Sequence, residues 1–507
     1  MRSVPGSDKR ISFLVLSGIF LISLVAYAST FKNTLVCDDY YLIGIDKMHV
    51  FGGGGLGQLS AIRWLFYGEY LIYVRPVTLG LWSLISSFAG LEAWPYHLAD
   101  VLLHAASAAM IYFLLKKLSV SRIAAFLAAV LFALTPVAPE AVAWPAGVVD
   151  TLPLFFILLS LYFYVVFLQS RRLAVYAGAL LAMAAAMFSK EVAIPLILLI
   201  PLADILFSGR MGGGTVEWTV KRPEEGIAAQ IPDRAARLAP FAVLLLFYLT
   251  VRYLILGSLV GQGGNLTYGG PDATMNTLST FLAPLSPLFV APGLADFMRF
   301  YIILLLAAGI FLLVWRYRQI AGMTKRVVLF MTCMMLLAAI PVSGIVFAGI
   351  GQDLQWTHTL YIPTAAMLAA MCVCLIDCGW NRRLWAVAAS CALAVLLPLF
   401  FWGLHQNNLY WEGVSVKEAQ IMQGIAANLP DPPAGTTIFI EERFAPASSR
   451  VYWCKPMLEP AIRGMYKGRD LNVHQLARGE FVDTNPGYLF VYDSVTGKLW
   501  LAHEPLA

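Results

Sequence analysis

The chain is poor in charge: Asp, Glu, Lys and Arg make up 13% of its 507 residues, against 59% hydrophobic. So little charge excludes a soluble enzyme, a disordered scaffold and a coiled coil, because none of these keeps that much apolar surface from aggregating in water. Metal-type cysteine spacing is missing as well. Of the seven cysteines, Cys372, Cys374 and Cys378 share one apolar run, and Cys333 and Cys391 lie in neighbouring runs where a thiol serves as a small hydrophobe. Cys37 and Cys454 fall on one side of the membrane in the topology below, which leaves a bridge between them open. There is no glycine-rich nucleotide fingerprint, no phosphate-binding loop and no internal repeat. No basic stripe suited to nucleic acid occurs either, so the net charge of +5 is to be read through membrane topology.

Long apolar runs are abundant. A spanning helix needs about 20 mostly apolar residues, and the sequence predicts eleven such runs, at 11–30, 97–115, 121–136, 151–169, 173–189, 192–208, 238–256, 298–314, 327–346, 360–378 and 385–403. With the N-terminus inside, the basic clusters at Arg2, Lys9 and Arg10, at Lys116, Lys117 and Arg122, at Arg171 and Arg172, at Arg210 to Arg237, at Arg316 to Arg326, and at Arg382 and Arg383 are all cytoplasmic. The opposite loops hold only Lys32, Lys47, Arg63, Arg75 and Lys190 before the tail, a strong positive-inside bias. The first run ends at Ala26-Tyr27-Ala28, which resembles a signal-peptidase site, but its length favours an uncleaved anchor.

The fold class expected is therefore mainly α, a polytopic membrane domain over 1–403 with a large outer loop at 31–96, followed by a small α/β domain over 404–507. In the outer loop, 76–90 is apolar but short and reads as an interfacial helix after the flexible Gly52 to Gly55 run. The segment 278–293, with Pro284, Pro287 and Pro292, reads as re-entrant or surface-lying, and Gly261 to Gly270 as a lid or a plain loop. In the tail the pattern predicts a helix near 415–428, a break at Pro430-Asp431-Pro432-Pro433, a strand at 436–441 and a hairpin at 487–502 turning at Ser494 to Gly497.

The chemistry-bearing residues gather at the outer ends of these runs. Asp38 and Asp39 follow the first span directly, where carboxylates are costly unless solvated or used. Two adjacent carboxylates can divide the work of taking a proton and of positioning a partner or metal, and the neighbouring negative charge raises one pKa, which improves a base. Glu140 lies among the prolines of Thr135 to Pro145, and Asp150 opens the next span. Lys190-Glu191 marks another outer junction, where the two neighbours could form a local ion pair, and Arg75, His97 and His358 reach the same level. His97 and His104 could equally satisfy helix ends. Asp39 with Glu140 offers oxygens of the kind Mg or Mn takes, although the chemistry does not require a metal.

The segments Tyr73-Val74-Arg75-Pro76-Val77-Thr78, Tyr96-His97 to Asp100 and His104, Leu131 to Pro136 with Glu140 to Ala143, Ser189-Lys190-Glu191 and Thr359-Leu360-Tyr361-Ile362-Pro363 together resemble the membrane half of the transmembrane and tetratricopeptide-repeat O-mannosyltransferases and their bacterial relatives, within the GT-C glycosyltransferases. The resemblance implies transfer of a hexose from a polyprenyl-phosphate carrier to an acceptor hydroxyl on the non-cytoplasmic face, with inversion. It implies Asp38 as catalytic base with Asp39 as its partner and the other candidate, Glu140 and Asp150 as further acidic residues, and Arg75, Lys190, Arg252 and His358 as binders of the lipid phosphate. The sequence departs from the family pattern where Thr135 replaces His, where Gly147-Val148-Val149-Asp150 lacks an Arg, and where Thr357-His358 replaces Glu-Arg; the tail holds no tetratricopeptide repeat. The acceptor implied is a hydroxyl of a protein, lipid A, O-antigen or another envelope glycan, and the location a bacterial inner membrane with the C-terminal domain periplasmic. A transporter or flippase of lipid-linked sugars is the main competing reading and a membrane scaffold the second; a transporter would place its polar residues near the midplane.

Overall fold

The computed structural model describes residues 7–36, 38–43, 73–208, 210–211, 218–219, 227–259, 320–341, 357–377, 382–443, 461–462, 465–466, 471–476, 487–493 and 498–503. In chain order these form α1 (Ser7–Ala26), a 3-10 turn (Ala28–Lys32), α2 (Asp38–Ile43), α3 (Pro76–Ala89), α4 (Trp94–Lys117), α5 (Arg122–Ala133), the single turn α6 (Pro139–Val142), α7 (Val148–Ser170), α8 (Leu173–Met187), α9 (Ala193–Leu196) and α10 (Leu199–Phe207). There follow a two-stranded ribbon of β1 (Arg210–Met211) and β2 (Trp218–Thr219), then α11 (Ile227–Leu256), α12 (Gly322–Ala339), α13 (Tyr361–Asp377) and α14 (Arg382–Asn428). The chain ends in β3 (Thr437–Arg443), β4 (Asn472–Leu476), β5 (Tyr488–Asp493) and β6 (Lys498–His503). The protein is thus mostly helical with a small sheet.

Among the described residues, five helical stretches, at 94–117, 145–170, 234–256, 322–339 and 357–377, are long and apolar enough to cross a membrane. Five shorter apolar helices accompany them, at 10–26, 76–89, 122–133, 173–187 and 193–207. The run expected at 121–136 is helical for only 12 residues, because Pro136 and Pro139 turn the chain into the site hairpin. The run at 192–208 breaks into α9 and α10, with Pro195 in one and Pro201 in the other. The span expected at 298–314, the segment 278–293, the glycine stretch 261–270, the Gly52 to Gly55 run, the turn at 494–497, and Cys37 with Cys454 lie outside the described residues.

Small side chains hold the bundle together. Ala105, Ala108 and Ala109 of α4 and Ala124, Ala125, Ala128 and Ala129 of α5 are all buried, so two backbones approach closely where lipid offers no hydrophobic drive for association. The connection is tight: Ser119 takes a left-handed φ of 62°, and the Ser121 hydroxyl caps α5 by accepting from the Ala124 amide at 3.2 Å. α7 packs between α4 and α8, and α13 packs on α5 and α12. α1 is built into the same core, with Ile19 and Tyr27 fully buried.

The tail departs from the expected boundary at 404. Instead of a span at 385–403 followed by a separate helix at 415–428, one 47-residue helix, α14, runs from 382 to 428 through that position. Its segment 404–428 is too polar for a spanning reading yet contains no proline, and Gly413, Gly424 and Pro398 are all accommodated within the helix. Beyond it the sheet has order β4-β3-β5-β6, with β3 parallel to both neighbours and β5–β6 an antiparallel hairpin. The expected strand and hairpin are present and β4 is additional. Ile438, Ile440, Phe490 and Tyr492 pack with Ile421 and Ile425 of α14 and Leu429 just after it, so the helix that leaves the bundle also covers one face of the sheet.

Candidate functional site

One end of the bundle is assembled by three turns that the sequence forces. After the first helix and its 3-10 turn, Asn33 takes an extended conformation, and α2 carries Asp38 and Asp39 in its first turn. Asp39 is fully buried, and its two oxygens accept from the Val36 amide and from the Ala146 amide, each at 2.7 Å. One carboxylate thereby ties the post-helix segment to the hairpin at 139–148. Burial pushes the Asp39 carboxyl well above the usual carboxylate range, helped by the nearby charges of Glu418 and Asp38 and opposed by the two backbone donors.

The hairpin itself is compressed. A Cβ on Gly147 would come within 2.6 Å of the Ala141 backbone, so only glycine permits this return. The Trp144 indole donates to the Val36 carbonyl at 3.3 Å and stacks on Trp411 of α14 at a centroid distance of 5.4 Å. Glu140, inside the hairpin and 2% exposed, accepts on one oxygen from the Thr357 hydroxyl at 2.9 Å and the His358 amide at 2.7 Å, and the His358 ring lies beside the same oxygen, Nδ1 at 3.1 Å. Burial alone would raise the Glu140 pKa, but the His358 charge and these hydrogen bonds outweigh it and hold the group below its ordinary value. His358, expected to meet a phosphate, lies against Glu140.

Two ion pairs complete the surface. Lys190 Nζ bonds Asp150 at 2.6 Å, with side chains 12% and 4% exposed. Arg75 grips Glu191 in a fork, Nε to one oxygen at 3.1 Å and Nη2 to the other at 2.6 Å, while its guanidinium lies 3.8 Å above the Tyr73 ring. Lys190 and Glu191 thus pair with different helices rather than with each other, as the local alternative had it. The fork overcomes burial and depresses the Glu191 pKa to about 2, and the same partnership raises that of Arg75 despite its burial. The 188–191 turn and the start of α3 are stitched together by the Val77 amide on the Phe188 carbonyl and the Thr78 hydroxyl on the Ser189 carbonyl.

Contacts at the start of α7 link these groups: the Ala146 amide donates to Asp39, Asp150 in the first turn meets Lys190, and the Thr151 hydroxyl donates to Asp100 at 2.8 Å. Arg252, 3% exposed, faces Tyr248, which also senses Glu191 and Arg75. Of the eight residues singled out in the sequence, Asp39, Glu140, Asp150, Lys190, Arg75 and His358 are tied by hydrogen bonds or ion pairs into these turns, and Asp38 adjoins Asp39. For a metal, the donor set fits poorly. Both Asp39 oxygens serve amides, one Glu140 oxygen serves Thr357 and His358, and among the described residues no group of three or more His, Cys, Asp or Glu gathers as ligands. Among the described cysteines, Cys333, Cys372 and Cys374 form no disulfide.

Several participants escaped sequence reasoning. Thr357, Trp411, Glu418 and Thr151 have no spacing signature that marks them. The His97, Asp100, His104 and Ser107 series did carry a signal, because steps of three and four residues place all four on one face of α4. All four are buried, His104 Nδ1 meeting the Tyr361 hydroxyl at 2.8 Å.

Fold and site together define a polytopic, mostly helical membrane protein with a charged site at one end of its helices. Residues 75–212 match the model of the dolichyl-phosphate-mannose-protein mannosyltransferase family. This match supports the resemblance to GT-C integral-membrane glycosyltransferases, and it covers Arg75, Glu140, Asp150 and Lys190. No curated protein matches the chain. Among solved structures, the Archaeoglobus fulgidus oligosaccharyltransferase, crystallised with a tethered acceptor peptide containing the NVT sequon, is similar at 12% identity and a TM-score of 0.43, over 93% of this chain and 64% of that one. The chain thus spans less than two thirds of the length of that enzyme.

Proposed function

We propose that the protein transfers a hexose from a polyprenyl-phosphate carrier to an acceptor hydroxyl at the non-cytoplasmic face of a bacterial inner membrane, with inversion. The observation that carries this reading is the convergence of Asp38 and Asp39, the Asp150–Lys190 pair, the Arg75–Glu191 pair and Glu140 with His358 at one end of the bundle. A lipid-linked sugar is already activated by its phosphate, so the enzyme needs a base for the incoming hydroxyl, cations for the leaving phosphate and fixed geometry.

Asp38 takes the role of base. Asp39, with both oxygens committed to backbone amides, positions it. Displacement from the face opposite the phosphate inverts the anomeric carbon. Lys190 and Arg75, oriented by Asp150 and Glu191, stabilise the negative charge that develops on the phosphate, with Arg252 and His358 on the same side. Glu140 fixes His358.

The test is release of labelled sugar from polyprenyl-phosphate hexoses by the purified protein in nanodiscs, with the anomer of the product read by NMR. Native release that falls about 100-fold or more in Asp38→Asn, with donor binding intact, is the expected result. Tight donor binding without release from any donor would turn the reading toward transport, and unchanged release in both Asp38→Asn and Asp39→Asn would remove the base assignment.

A further inference from the structure

His104 is a fully buried histidine of α4 that the transfer mechanism leaves without a task. Its ring lies against Tyr27, Phe132 and Tyr361, with centroids 5.5, 5.0 and 5.7 Å away. Nε2 lies 3.2 Å from the Ala133 carbonyl, and Nδ1 lies 2.8 Å from the Tyr361 hydroxyl. A carbonyl only accepts, so Nε2 carries a proton. Among the described residues no carboxylate bonds to the ring, and an imidazolium enclosed by aromatic side chains without a counterion is costly. The ring is therefore neutral, and Nδ1 accepts from Tyr361. These two partners belong to separate pieces of the site. Ala133 ends α5 and leads into the hairpin that carries Glu140. Tyr361 begins α13, directly after the 3-10 turn Thr357–Leu360. Within that turn the Thr357 hydroxyl and the His358 amide donate to Glu140 at 2.9 and 2.7 Å. Hairpin and turn are thus joined twice, through Glu140 and through His104. Four residues before His104, on the same face of α4, Asp100 accepts from Thr151 of α7 at 2.8 Å. Asp150, the neighbour of Thr151, binds Lys190. One face of α4 therefore supports both the turn that carries His358 and the helix start that holds Lys190.

We propose that His104 is a positioning residue: with its proton on Nε2 it clamps Tyr361 to the end of α5 and so sets where His358 stands relative to Lys190. The inference rests on the transfer reading above, in which both groups serve the leaving phosphate. His104 touches neither sugar nor acceptor and keeps its proton throughout the reaction. Its effect is geometric. Charge that develops on a leaving phosphate is stabilised best by donors already aimed at it, so a turn that drifts from its support weakens that hold.

The experiment uses the full chain in nanodiscs, with nitrogen NMR of isotope-labelled histidines to read ring protonation. The His104 signals are identified by their loss in His104→Phe. The expected spectrum has Nε2 protonated and Nδ1 bare, and Tyr361→Phe displaces the signals of both His104 and His358. A His104 proton on Nδ1, or His358 signals unmoved in Tyr361→Phe, overturns the clamp. Steady-state turnover on polyprenyl-phosphate hexoses then reads the positioning. Tyr361→Phe is expected to lower kcat about tenfold. His104→Asn, whose side-chain oxygen still accepts from the Tyr361 hydroxyl, is expected to keep more turnover than His104→Phe, which offers no acceptor. In a His358→Ala background Tyr361→Phe should cost little more, because the clamp acts through His358. A merely structural role predicts the same factor in both backgrounds, and that result overturns the proposal. A native protein that releases no sugar sinks the transfer reading and the role within it, while the nitrogen signals still decide whether His104 clamps Tyr361.

Discussion

Lys190 and Asp150 show how two residues far apart in sequence can depend on each other. A buried pair is costly to half-remove, because the remaining charge is left without a partner. Lys190→Met alone is expected to destabilise the protein by about 3–5 kcal/mol, and the double variant Lys190→Met with Asp150→Leu to recover most of that loss. Detergent melting curves around the full mutant cycle give the coupling, and additive losses would mean that the pair is not a unit. The Arg75–Glu191 fork predicts a pH dependence. Because Glu191 is depressed from its ordinary value of 4.5 to about 2, the unfolded chain binds the proton first as pH falls. The stabilisation is therefore complete above 4.5 and is lost as the pH drops toward about 2. Glu191→Gln should flatten this acid limb in melting experiments, and an unchanged limb would assign acid unfolding to other groups.

At the level of elements, α14 acts as a strut along the site. Asn407 donates to the Pro136 carbonyl at 2.5 Å and Asn408 to the Ala26 carbonyl at 2.9 Å. Trp411 stacks on Trp144, and Ser415 accepts from the Thr34 amide at 2.7 Å. These contacts rise along one helix and touch both the post-helix segment and the hairpin, the two pieces that carry Asp39 and Glu140. Trp411→Ala should cost about 3–5 kcal/mol of stability, and should lower turnover more than donor binding because the hairpin is no longer held from outside. Melting temperature and sugar release measured on the same preparations check both; full turnover in a destabilised variant would show that the hairpin holds its shape alone.

At the scale of the whole molecule, the boundary matters. A chain ended at 404, where the hydrophobic pattern stops, removes Asn407, Asn408, Trp411 and Ser415 from the site. A chain ended at 434 retains them and loses only the sheet. The first truncation is expected to abolish transfer, and the second to keep sugar release detectable in the nanodisc assay. Equal loss in both would assign the sheet a direct part in the reaction.

Composition and charge placement alone settled that the chain is a polytopic, mainly helical membrane protein, and the apolar runs located its helices, because a lipid environment imposes length and hydropathy on every segment that crosses it. The acidic and basic residues at the ends of these runs were legible for the same reason, since charges there stand out against apolar sequence. Partnership was not legible. That Lys190 reaches Asp150, that Arg75 takes Glu191 from its sequence neighbour, that His358 serves Glu140, and that Asp39 spends both oxygens on backbone amides are contacts between segments separated by up to hundreds of residues. Nor could the pattern reveal that α14 continues past 404, because a polar helix lying against protein loses its hydropathy signal where it leaves the membrane but not its hydrogen bonds. Hydropathy is a local property and the sequence displays it directly; which charges neutralise one another is decided by packing, and only the tertiary structure contains that.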